Sequence, residues 1–186
     1  MDTPRIARRS VLQGATGLFV AWMTPVLSAT QGQPAARPAK GDLLVKVGDA
    51  SLTPLTPDDI PPATPIMAWP MAAADRVARS GSRLNRVVLV RLDPDALAAT
   101  TRPLAAGGIV AYSAICTHSG CDVGSWIADQ QQLHCECHES RFDPRDGARV
   151  TDGPAPRSLP ALPLAIVDGR LIVARPFTTR PGFTEG

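Results

Sequence analysis

All four cysteines of this chain lie between Cys116 and Cys137, and two of its three histidines, His118 and His138, are interleaved with them at short, regular offsets. That clustering confines the chemistry of the chain to one short region, around which the rest of the fold has to be built. Nineteen prolines and fifteen glycines, spread without a repeat period, favour short strands joined by many turns over long helices. The expectation is a mostly β protein. A length of 186 residues allows one domain plus an N-terminal targeting segment. A formal charge of +2 and 4% aromatic content supply no basic stripe with interleaved aromatics, which argues against a nucleic-acid binder.

The segment Ala7-Arg8-Arg9-Ser10-Val11-Leu12-Gln13 places paired arginines before an apolar stretch, the pattern of a twin-arginine export signal. No charged residue occurs from Ser10 to Ala36, and Gly14 to Leu27 is the more apolar part. A spanning helix needs about 20 mostly apolar residues, which this run supplies despite Gly14, Gly17 and Pro25. Val26-Leu27-Ser28 and Leu27-Ser28-Ala29 are only fair cleavage sites. Residues 1–30 are therefore read as a twin-arginine signal or membrane anchor. Retention is favoured over cleavage to a soluble periplasmic form, with the protein on the periplasmic side of the cytoplasmic membrane. Residues 31–41, with Pro34 and Pro38, read as a flexible linker, residues 42–176 as the folded domain and 177–186 as a tail.

Within the domain, Leu43 to Val47 is the first predicted strand. Pro54, Pro57, Pro61, Pro62, Pro65 and Pro70 then predict a surface excursion that neither pairs centrally in a sheet nor continues a helix. Val87 to Leu92 and Gly108 to Ile115 are further strands, separated by a short helix capped at Asp93-Pro94-Asp95. Leu162 to Val167 and Arg170 to Ala174 flank Asp168-Gly169, a strong hairpin signal.

The first cysteine box is Cys116-Thr117-His118-Ser119-Gly120-Cys121 and the second is Cys135-Glu136-Cys137-His138-Glu139-Ser140. Four cysteines alone could make a zinc site or two plain disulfides, but either leaves the two placed histidines unexplained. The pair of boxes resembles the signature of the Rieske iron–sulfur family, C-T-H-x-G-C followed by C-x-C-H-x-S, and the resemblance runs from about Ile109 through Gly153-Pro154-Ala155-Pro156. It implies an antiparallel β base domain with a smaller inserted cluster-binding subdomain, about residues 114–157, and one 2Fe–2S cluster. It also implies that Cys116 and Cys135 bind the inner iron and His118 and His138 the outer iron, with Cys121 and Cys137 forming a disulfide that ties the two loops together. Gly153 and Pro154 begin a proline-rich loop that covers the cluster in relatives, and Ser140 offers a hydroxyl near it. Such a disulfide suits an oxidising compartment, in agreement with the arginine pair.

The chain departs from the family in three places. Ser119 stands where the quinol-oxidising members carry an apolar residue; Glu136 and Glu139 replace proline and glycine; and Phe142 stands where high-potential members carry a tyrosine. His134 lies outside the motif and is expected as an exposed strand residue. Arg141, Arg145 and Arg149 are expected as a solvated charged face, and Trp69 and Trp126 as packing residues. The resemblance implies a one-electron carrier, most closely the iron–sulfur subunit of a quinol:cytochrome c reductase-like complex, with a cytochrome b or c and quinol as redox partners. The alternative is the small Rieske subunit of a periplasmic molybdenum oxidoreductase of the arsenite oxidase type, partnered by a catalytic molybdenum subunit. A ring-hydroxylating ferredoxin or oxygenase component conflicts with the export signal and the disulfide.

Overall fold

The computed structural model describes residues 33–183; the expected export segment, residues 1–30, lies outside them. Six strands make the larger sheet: β1 (Leu43–Lys46), β2 (Ile66–Met71), β3 (Val87–Arg91), β4 (Ile109–Ser113) and, after a long insertion, β9 (Leu164–Val167) and β10 (Arg170–Val173). The insertion contributes a four-stranded sheet from β5 (Ser125–Ile127), β6 (Gln132–Cys135), β7 (Ser140–Asp143) and β8 (Arg149–Asp152). Both sheets are antiparallel throughout, in the orders β4-β3-β2-β1-β10-β9 and β5-β6-β7-β8. The mostly β expectation and the base-plus-insertion architecture are both observed.

The larger sheet curls back on itself. Residues entering β9 reach the outer edge of β4, where Ser113 N–H donates to Pro160 O at 2.8 Å and Leu162 N–H to Ala111 O at 2.9 Å. Closure of this kind leaves less open strand edge for unwanted pairing. β9 and β10 are joined by Asp168 (φ 49°) and Gly169 (φ 72°), the two positive-φ residues that a two-residue hairpin turn needs.

Both faces of β3 are buried, which explains its uninterrupted apolar sequence. Side chains alternate across a strand, so Val87 and Leu89 join Leu44, Ile109 and Leu171 inside the curl. Val88 and Val90 instead join Tyr112, Leu133, Phe142 and Leu159 between the two sheets. Each such side chain, removed fully from water, contributes about 1.5–3 kcal/mol. Tyr112 also fastens the sheets through a polar contact, its buried hydroxyl donating to Pro144 O at 2.8 Å.

Two expectations are corrected. Pro70 sits in β2, between β1 and β3, not in a surface excursion. It is tolerated there because β3 pairs only with residues 66–68, so Pro70 lies beyond the ladder on that side. A strand residue directs its N and C=O the same way, and on that side, beside the isolated Met71–Ala78 bridge, Pro70 O accepts from Arg79 N–H at 2.8 Å, so the ladder with β3 loses no donor. The described part of the linker, residues 33–40, is held to the domain: Gly81 N–H donates to Pro34 O at 3.0 Å and the Asn85 amide to Ala36 O at 2.8 Å. Asp42 then forms a buried two-pronged pair with Arg79, at 2.5 and 2.8 Å. Among the described residues no helix is long and apolar enough to cross a membrane.

Candidate metal centre

The first cysteine box leaves the end of β4 and is pinched at its base. Val123 N–H donates to Ala114 O at 2.9 Å and Cys116 N–H to Cys121 O at 2.7 Å, so residues 117–120 form the tip. Gly120 makes the return at φ 79°, and its N–H donates to Cys116 O at 3.1 Å. The second box is the turn between β6 and β7, closed by the pairing of Cys135 with Ser140. Glu139 turns it at φ 59°, a left-handed conformation that glycine adopts more cheaply and that the family's usual glycine would suit.

These two loops face each other. Cys121 and Cys137 are joined in a disulfide with a Cα–Cα distance of 6.5 Å. That bond removes two of the four thiols from any zinc site, and it does so although the Cys121, Cys135 and Cys137 sulfurs lie within 4.8 Å of one another. Cys116 and Cys135 remain free and are buried. Burial, and then the neighbouring Cys116 thiol, push the Cys135 thiol up to about 11. The His118 and His138 rings meet edge to face at 4.6 Å between centroids, His118 half-buried and His138 exposed. His118 Nδ1 is buried without a hydrogen-bond partner among the described residues.

A buried imidazole nitrogen with no partner is costly as it stands, and it lies in the same site as two buried thiols. A metal group fits them, because it would take the orphaned nitrogen and bind the two sulfurs as their protons leave. Thiolate and imidazole together form the donor set of a mixed-ligand 2Fe–2S centre.

A third segment covers the two loops. Ala155 N–H donates to Ser140 Oγ at 3.2 Å, and Thr117 Oγ1 donates to Arg157 O at 2.6 Å, tying the proline-rich loop to one residue of each box. Gly153 (φ 83°) passes so close that a Cβ there would stand 2.5 Å from Ser140 Cα. Pro154 lies exposed on the outside of this cover, whereas Phe142 is wholly buried among Cys116, Cys135 and Leu133. A fourth segment carries no sequence signal: residues 180–183 fold back, with Arg157 donating to Arg180 O at 2.8 Å and to Gly182 O at 2.6 Å.

Several secondary expectations change. His134 does lie on β6, but its side chain is only 14% exposed, and its Nε2 contacts Glu139 Oε2 at 3.0 Å. Ser119 Oγ is 3.5 Å from His138 Nδ1, a contact that spacing could not reveal. Glu136 accepts from the Ser125 hydroxyl at 2.5 Å. Arg141, Arg145 and Arg149 are each paired, with Asp152, Asp143 and Asp146 respectively. Trp69 and Trp126 are half-buried, as packing residues should be. Asp122, at the foot of the first box, pairs with both Arg83 (2.7 Å) and Arg86.

Residues 72–163 match the family model described as the Rieske [2Fe-2S] domain. Among curated proteins, the chain is 37% identical over 134 residues to the cytochrome bc1 complex Rieske iron-sulfur subunit of Streptomyces lividans, covering 70% of this chain and 77% of that one. It is 40% identical over 97 residues to a putative respiratory nitrate reductase subunit Rieske of Haloferax mediterranei, covering 52% of this chain and 43% of that one. Among solved structures, the soluble domain of Rieske protein II (soxF) from Sulfolobus acidocaldarius is 25% identical, with a TM-score of 0.38, over 48% of this chain and 61% of that one. With a relative of that identity spanned over most of its length, and with the two boxes brought face to face, the chain belongs to the Rieske family of 2Fe–2S electron-transfer proteins.

Proposed function

We propose that Cys116, His118, Cys135 and His138 are the ligands of the single 2Fe–2S cluster, and that the chain is the iron–sulfur subunit of a quinol:cytochrome c reductase-like respiratory complex. The observation that carries the ligand assignment is the partition of the four cysteines: Cys121 and Cys137 are consumed by the disulfide, leaving two buried thiols and two apposed imidazoles, one from each box. Bound there, the cluster supplies one-electron redox chemistry. Cys116 and Cys135, both buried, would hold it on the side of the core. His118 and His138 would hold it on the solvent side, and exposed His138 would offer the partner its nearest contact. Ser140, Thr117 and the Gly153–Pro154 cover keep the loops apposed and water out.

The likeness to the Streptomyces subunit supports the respiratory reading. The second reading, a small Rieske subunit of a molybdenum oxidoreductase, is favoured by Ser119 in the exposed tip and by a relative whose printed assembly is a nitrate reductase. In either case residues 1–30 act as the export signal or anchor, 42–176 as the Rieske domain, and the disulfide suits the periplasmic side of the membrane. Affinity purification of the full chain from detergent-solubilised membranes of the producing cells tests the choice. Co-purifying b-type haem is expected; molybdenum without that haem would replace the first reading by the second. Two irons and two sulfides per chain are expected, and zinc in their place would overturn both.

A further inference from the structure

One flank of the cluster loops carries a charge imbalance that the cofactor does not explain. A cavity of about 610 Å³ is floored by Ile115 and Gly120 of the first loop and walled by Arg83, Arg180 and Phe183. A second cavity of about 300 Å³ continues past Arg180 to Arg37. Arg86 adjoins the first through Asp122, the carboxylate it shares with Arg83. Of these four guanidinium groups only Arg83 and Arg86 reach a carboxylate, the shared Asp122, and among the described residues Arg37 and Arg180 have none. The charged side chains of the second box and of the sheet that carries it have polar partners. Arg141, Arg145 and Arg149 have aspartates, and Glu136 and Glu139 are bonded to Ser125 and His134.

We propose that this flank, which carries Arg83, Arg180 and Phe183 in one cavity with Arg37 and Arg86 beside it, is the docking face for an acidic protein that exchanges electrons with the cluster. The proposal rests on the electron-transfer reading above and adds the face and the charge of the partner. Phe183 is 45% exposed and lies against the Gly120 backbone, where a Cβ would come within 3.1 Å of the ring. An exposed aromatic ring in one cavity with Arg83 and Arg180 has the composition of an interface centre. It sits on the loop that carries His118, so a partner docked there lies close to the outer side of the cluster. Unpaired arginines steer an acidic surface from about one Debye length, roughly 10 Å at 0.1 M salt. The concave floor accepts a protruding side chain of a protein better than a flat bilayer.

The test uses the full-length protein and fluorescein-labelled poly-L-glutamate as the probe. The variants are Arg37→Glu/Arg180→Glu and, as a control with the same charge change outside this flank, Arg149→Glu/Arg170→Glu. At about 20 mM salt the first variant should bind at least about tenfold more weakly than wild type and the control less than about twofold, with the difference vanishing near about 0.5 M salt. Absence of binding by wild type, or equal weakening in both variants, overturns the proposal. So does tighter binding to phosphatidylglycerol vesicles that is lost in the first variant, which would make this a lipid-facing flank. Cluster absorbance recorded on the same samples separates the two levels: protein without a cluster refutes the electron-transfer reading, whatever the probe does.

Discussion

Gly153 and Ser140 touch backbone to backbone: a Cβ at position 153 would lie 2.5 Å from Ser140 Cα and 2.7 Å from its nitrogen, with the glycine at φ 83°. The cover can reach the second box only because this position has no side chain, and the approach brings Ala155 N–H onto Ser140 Oγ. Gly153→Ala meets two penalties, a left-handed backbone of about 1–2 kcal/mol and overpacking of about 1–3 kcal/mol. We predict a loss of about 2–5 kcal/mol and faster bleaching of the cluster on heating. An alanine variant that melts within about 2 °C of wild type would refute this reading of the contact.

The four cysteines should divide into two behaviours. Cys116→Ser, Cys135→Ser, His118→Ala and His138→Ala are expected to purify without the 2Fe–2S signal in electron paramagnetic resonance. Cys121→Ser and Cys137→Ser should retain it and lose about 3 kcal/mol, the worth of a crosslink closing a loop of this length. Iron content after purification decides, and equal loss across all four cysteines would sink the division.

The two boxes were legible in the sequence because each is local, presenting its residues within a single turn, and the pairing of Cys121 with Cys137 was legible only through the family resemblance. The hairpin at Asp168-Gly169 and the strand at Val87 were legible for the same reason, a turn signal and an apolar run. What spacing could not show depends on long-range closure. Pro70 reads as a strand breaker until β3 is seen to stop short of it. Residues 180–183 read as a tail, since the arginine that holds them, Arg157, lies far back in the chain. His134 looked exposed because strand alternation says nothing of a neighbouring turn that folds Glu139 over it.

Phe142 is wholly buried beside Leu133 and in the same core cluster as Cys116 and Cys135. A hydroxyl added there enters the apolar core cluster that also holds the Cys116 and Cys135 thiols. Hydrogen bonds to sulfur stabilise the reduced, more negative state, so Phe142→Tyr should raise the potential. One net hydrogen bond of about 0.5–1.5 kcal/mol corresponds to about 20–65 mV for one electron. With that donor absent, the wild type is expected in the middle or lower part of the Rieske range of about −150 to +300 mV. Protein-film voltammetry on both forms provides the check, and a downward shift in the tyrosine variant would show that the added group meets something other than sulfur.

Asp122 anchors the foot of the first box to Arg83 and Arg86, and its response to acid has a definite sign. Burial raises its carboxyl, but the hydrogen bonds from Arg83 and Arg86 outweigh this and hold it below the ordinary value of 3.8. A carboxylate whose folded-state value is depressed stabilises the fold fully above the unfolded value; that contribution drains away as pH falls through the folded one. The side chain is 53% exposed, so solvent screening limits the contribution to about 0.5–1 kcal/mol. Asp122→Asn should therefore melt about 1–4 °C below wild type at pH 7. The gap should close as the pH is taken below 3.8. Thermal melts of the two proteins across that range measure it, and a gap that widens in acid would mean that Asp122 does not act through its charge.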